Sequence, residues 1–267
     1  MRIACLQVAL QPVREGLAEH HWSDAQLREL EAHLQQYNFV ADVQPGFASE
    51  RAAGILITEN IRRYGLRNLA HLGVTGPLLT TDWRIANLIS VFSPVNGWTY
   101  HEQYHLCHAS LVLVGGTMDA SQRRVFPSRT ETNAREFERS FASGNFSALF
   151  HHRILAGMLL PALNRIITKA AIGQTVAGEA VLACALERYR LAHSQFPDEL
   201  DALVPAFVSQ LPHDVITGQP YRYRWTDDGR FVLYSVGWNE KDDGGVPGKA
   251  LFDEKEGDWV WQYPAGQ

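Results

Sequence analysis

Along the first 168 residues the apolar positions recur mostly at helical spacing, and beyond Gly218 they recur at every second position. The first pattern buries one face of a helix, and the second buries one face of a strand. Residues 3–17 carry the helical pattern, interrupted at Pro12. Ser23 with Gln26 three residues on is a capping-box start, and Leu27, Leu30 and Leu34 then fall on one face. Pro45-Gly46 sets off a third helix over 47–64, closed by Arg62, Arg63 and Gly65. Three glycines and Pro77 make 65–80 a loop, a short helix follows over 82–92, and another over 98–114 ends at Gly115-Gly116. The polar stretch 117–130 reads as a loop, 130–143 as a charged helix, and 146–169 as an apolar helix kinked at Pro161.

From about residue 170 the texture changes. An alanine-rich helix covers 171–192, and Phe196-Pro197 leads into a short helix with Leu200, Leu203 and Val204 as its apolar residues. Tyr221, Tyr223 and Trp225 alternate with Arg222 and Arg224, Asp227-Asp228-Gly229 supplies a hairpin turn, and Phe231, Leu233 and Ser235 alternate with Val232, Tyr234 and Val236. An acidic, glycine-rich loop over 237–257 precedes a last strand at 258–261. Such a small sheet needs a helix to cover one face, and the helix at 171–192 is the nearest candidate. The expected class is α+β and mostly α: a helical domain over 1–168, then one long helix packed on a three-stranded antiparallel sheet over 169–267.

Composition narrows the function classes. Apolar residues are 46% and charged residues 20% of the chain, enough for a substantial core. The net charge of −5, without a basic cluster, argues against sequence-independent nucleic-acid binding. Three scattered cysteines without a CxxC read as buried thiols rather than a disulfide framework. No uncharged apolar run reaches the ~18 residues of a membrane span, and residues 1–10 lack a cleavage signal. The chain is expected to begin inside a larger protein, so membrane contact would run through an anchor outside this chain.

One motif carries metal chemistry. His101-Glu102-Gln103-Tyr104-His105 is an HExxH within the helix expected at 98–114. Two histidines four residues apart share a face and can hold zinc, with Glu102 as general base toward the bound water. Glu131, or else Glu136 or Glu138, in the next helix would complete the ligand set. The same residues equally make an accidental polar stripe in a chain with eleven histidines.

Several dispersed residues carry a resemblance. Phe196-Pro197, Pro212 with Asp214, Gly218 with Tyr221 and Tyr223, and Tyr234-Ser235-Val236-Gly237 with Asn239 follow in the order found in the globular part of the type II secretion major pseudopilin. The segments at 2–34, 49–54 and 96–110 resemble a group of uncharacterised bacterial envelope proteins that carry this module behind a long helical region. The resemblance implies a pseudopilin-like C-terminal module and a periplasmic or envelope location. It also implies a calcium loop, with Asn239, Asp242, Asp243 and Asp258 as ligands. Asn239 stands where the family often has Asp, and residues 244–256 are an insertion ahead of Asp258. The family's cleavage site and continuous apolar N-terminal helix are absent. The expectation is therefore a non-catalytic envelope-associated structural or protein-interaction component with protein partners, linked to type II secretion or pilus-like assembly. The alternative is a zinc-dependent hydrolase or peptidase at His101, Glu102 and His105.

Overall fold

The computed structural model of the chain describes residues 2–64, 97–141, 161–226 and 229–261. The helices are α1 (Arg2–Ala9), α2 (Gln11–Ala18), α3 (Asp24–Leu34), α4 (Phe39–Tyr64), α5 (Trp98–Val114), α6 (Pro127–Phe141) and α7 (Pro161–His193). A hairpin of β1 (Met118–Asp119) and β2 (Arg124–Val125) lies between α5 and α6 in the chain. A 3-10 turn (Leu200–Leu203) and the strands β3 (Arg222–Trp225), β4 (Phe231–Ser235) and β5 (Trp259–Val260) follow α7. The expected loop at 65–80, the helix at 82–92, residues 146–160 and the turn residues Asp227 and Asp228 lie outside the described residues.

The α+β, mostly α class holds, and the long helix packs on the antiparallel sheet β3-β4-β5. Arg222 faces Tyr234 and Trp225 faces Phe231 across the first pair, while Ser235 faces Trp259 across the second. The compact units divide differently from the expected boundary at 168. One unit holds residues 1–42, 118–128 and 167–267, and the other holds 43–117 and 129–166. The N-terminal helices thus belong with the sheet, and the physical reason lies in α7.

From Ala170 to Arg188 every residue of α7 is buried except Ile172, which is partly so. A helix apolar all round must be covered all round. The sheet and the 3-10 turn contribute Phe231, Leu233, Trp261, Leu200 and Leu203, and α1 to α3 contribute Leu6, Leu10, Val13, Leu17, Leu27 and Leu34 to the same core. Two glycines mark where the neighbours come closest. A Cβ at Gly173 would fall 2.9 Å from Ile3, and one at Gly178 would fall 2.5 Å from the Tyr221 hydroxyl. These positions lie about 140° apart around the helix, so the two covers approach different sides. This helix has the length and apolar composition of a membrane span, but 94% of the relevant window is buried inside the protein.

Charge fixes the N-terminal cover. The Arg188 guanidinium donates to Asp24 at 2.8 Å, to Glu31 at 2.7 Å and to the Phe207 carbonyl at 2.6 Å. Glu187 accepts both guanidinium contacts of Arg190 and lies 3.0 Å from the His20 ring. The Ser23–Gln26 capping box forms as expected, and Leu27 and Leu34 of that helix are buried.

Two local expectations shift. The third helix begins at Phe39 rather than 47, with Pro45 inside it. Asn38 supplies the start: its Oδ1 accepts from the Ala41 N–H at 3.0 Å, a cap that outweighs the proline signal. Pro127 opens α6, where a missing N–H costs nothing, and the stretch before it forms a small hairpin rather than a plain loop. In the second unit, Gly54 lets α4 meet Leu106 of α5 without a clash. The buried Asn133 donates to the Leu113 and Gly115 carbonyls, tying α6 to the end of α5.

Candidate functional site

The acidic loop from 237 to 258 folds back over the outer face of β4. That face would otherwise meet water, yet Tyr234 on it is only 8% exposed. The Tyr234 hydroxyl donates to Asp242 at 3.0 Å, and burial together with that bond pushes the phenol up to about 12. Gly245, at φ +80, lies against Val232 and Tyr234, where a side chain would not fit. Asp242 also meets the Arg222 guanidinium at 3.3 Å and accepts from the Gly244 N–H at 3.0 Å.

The other expected ligands are used in the same way. Asp258 accepts from the Asp243 N–H at 3.2 Å and the Gly245 N–H at 2.6 Å. Asp243 accepts from the Gly257 N–H at 3.1 Å and from the Asn239 amide at 3.0 Å. The Asn239 carbonyl oxygen accepts from the Lys241 N–H. The structure therefore brings Asn239, Asp242, Asp243 and Asp258 into one loop, but as caps on backbone donors. Among the described residues, no group of three or more His, Cys, Asp and Glu side chains stands close enough to hold a metal ion. Burial raises Asp258, while the Gly244 N–H, then Tyr234, lowers Asp242.

The HExxH lies on α5 as expected. His101 is exposed and His105 half-buried, whereas Glu102 is completely buried. Glu102, the expected base, thus enters the packed side of the helix while the first histidine faces solvent. Tyr104 stacks on His108 and meets His105 edge-on. Glu131 is exposed and pairs with Arg135 at 2.7 Å, one turn along its own helix. The described residues therefore do not gather His101, His105 and Glu131 around a common point.

Beneath the sheet sits a polar cluster in which Asp214 and Ser235, named in the sequence only through the resemblance, lie near Glu179 and Arg14, which the sequence did not single out. Asp214 is 2% exposed and accepts from the Ser235 hydroxyl at 2.8 Å, the Ile216 N–H at 2.9 Å and the Val236 N–H at 3.4 Å. Glu179 of α7 is 1% exposed, and neither of its carboxyl oxygens has a hydrogen-bond partner of good geometry among the described residues. Burial raises its carboxyl well above the usual range, partly opposed by the charge of Arg14. Arg14 lies over the Trp261 ring at 5.0 Å. Glu179 is therefore enclosed by groups from both covers of the helix, Asp214 and Ser235 on the sheet side and Arg14 of α2.

The sequence reading also missed a cavity of about 350 Å³ in the first unit, beside the middle of α7. Arg123 of the β1–β2 turn, Tyr37, Gln174 and His213 line it. Those four residues are separated by long stretches of chain and share no motif.

No family model, no curated protein and no solved structure matches this chain.

Proposed function

We propose that the chain is a non-catalytic, envelope-associated structural or protein-interaction component, linked to type II secretion or pilus-like assembly and built on a pseudopilin-like C-terminal module. One observation carries the reading: the residues behind the resemblance meet in space. Asp214 and Ser235, 21 positions apart, are joined by a 2.8 Å hydrogen bond. Gly218, at φ +72, closes the turn from Asp214, donating its N–H to the Asp214 carbonyl at 2.8 Å. Tyr221 then reaches the bare backbone at Gly178, and the Tyr223 hydroxyl donates to the Pro197 carbonyl at 2.9 Å. These residues serve to lock a helix, a turn and a hairpin into one body, which is what a presentation scaffold requires.

Direct binding tests the proposal. The purified chain is titrated by biolayer interferometry against the soluble domains of type II secretion pseudopilins. A saturable complex with one of them, in about the micromolar range, is the expected result. Absence of any complex up to about 1 mM removes the proposal. Peptidase turnover that disappears in Glu102→Gln would replace it with the zinc reading.

A further inference from the structure

We propose that the cavity beside α7 is a binding site for a small organic carboxylate. Its volume, about 350 Å³, lies at the low end for small-molecule pockets and excludes a folded partner. Ala177, with only a methyl group, leaves room beside the helix, and Tyr221, seated on Gly178, forms part of the wall.

Among the described residues the lining is rich in donors and contains one arginine, one histidine and no Asp or Glu, in a chain whose net charge is −5. The Arg123 side chain has no hydrogen bond or ion pair to the described protein, so its fork of N–H groups is uncommitted. Gln174 is 8% exposed and its carbonyl oxygen accepts from the Phe39 N–H at 3.0 Å. That bond fixes the amide and leaves its NH2 group without an acceptor among the described residues. The Tyr37 hydroxyl likewise has no hydrogen-bond partner among the described residues, and Tyr37 is held by stacking on Phe39, with ring centroids 5.2 Å apart. His213 lies 2.7 Å from the Gln122 carbonyl through Nε2, which must therefore carry the proton and donate. Its ring is thereby oriented, and in the neutral ring Nδ1 is an acceptor, so the donors facing an anion are those of Arg123, Gln174 and Tyr37.

Donors already held in place, around a space with no acid, suit an anion. A single arginine among neutral donors matches one negative charge better than two. A carboxylate also fits the guanidinium fork in two parallel hydrogen bonds. Leu34, Leu211 and Val181 line the remaining wall and would take a short apolar body.

Titrations of the full 15N-labelled chain with benzoate, phenylacetate and pyruvate, followed by amide shifts, test this site. Benzamide and inorganic phosphate serve as the uncharged and dianionic comparisons. The expected result is saturable binding of at least one carboxylate, with shifts confined to residues 121–123, 174–178 and 209–213. Benzamide and phosphate should bind at least about tenfold more weakly than that carboxylate. Arg123→Gln should weaken the carboxylate by about tenfold with an unchanged melting curve. Four outcomes overturn the proposal: no saturable binding by any of the three carboxylates up to about 50 mM, equal binding of benzamide, shifts centred elsewhere, or unchanged affinity in Arg123→Gln.

Discussion

At Glu179, one residue shows how placement alters chemistry. In an exposed helix its carboxyl would ionise below neutral pH at no cost. Here its oxygens are buried without a hydrogen-bond partner of good geometry among the described residues, and desolvation raises its pKa. A group that holds its proton more tightly when folded contributes full stability below its unfolded pKa. That contribution is lost as pH rises toward the folded value. Glu31 is raised by burial in the same sense, despite its bond to Arg188. Asp24, bonded to the same guanidinium but 46% exposed, is lowered instead, because water still solvates it and the arginine bond dominates. Stability should therefore rise as pH falls from 8 toward about 5, and fall again once Asp24 takes up its proton. Glu179→Gln should raise stability at pH 7 by ~1–3 kcal/mol, with the two proteins converging near pH 4.5. Circular-dichroism melts across that range check this. Parallel curves for the two proteins would show that Glu179 is not the group responsible.

Among the elements, the acidic loop and the β4 strand beneath it act together. Four side chains that resembled calcium ligands are turned onto backbone N–H groups and a tyrosine hydroxyl. The loop is closed by the protein's own donors, so its closure is expected not to depend on calcium. Differential scanning fluorimetry in calcium and in EGTA should give the same midpoint. A midpoint several degrees higher in calcium would return the loop to the calcium reading. Asp258→Asn should lower the midpoint in both, because it weakens acceptors for the Asp243 and Gly245 N–H groups. A loss on the order of 1–2 kcal/mol is expected for these charge-assisted bonds.

Across the whole molecule, the first unit is assembled from three separate stretches of chain. The sheet covers only part of α7, and α1 to α3 cover the rest. A fragment of residues 167–267 would leave Gly173 of α7 without Ile3 against it and Arg188 without Asp24 and Glu31. It should bind a hydrophobic dye and melt without a cooperative transition. Adding residues 1–42 as a separate peptide should restore a sharp transition, since those helices bring both the apolar cover and the Asp24 and Glu31 partners of Arg188. A cooperative melt of the fragment alone would mean that the two-sided cover is dispensable.

The sequence by itself determined the local elements: the capping box at Ser23, the hairpin over β3 and β4 and the helix at Trp98–Val114 are each specified by residues a few positions apart. It also held the long helix and the class, because periods of 3.6 and 2 are properties of neighbouring residues. It did not hold the partition into units, the burial of Glu179 or the cavity at Arg123. Those depend on which distant surfaces share α7, and a helix apolar on every side can accept cover from any of them. The packing of α1 to α3 opposite the sheet made that choice, and with it decided which polar groups are buried, which are bonded and which remain open to a ligand.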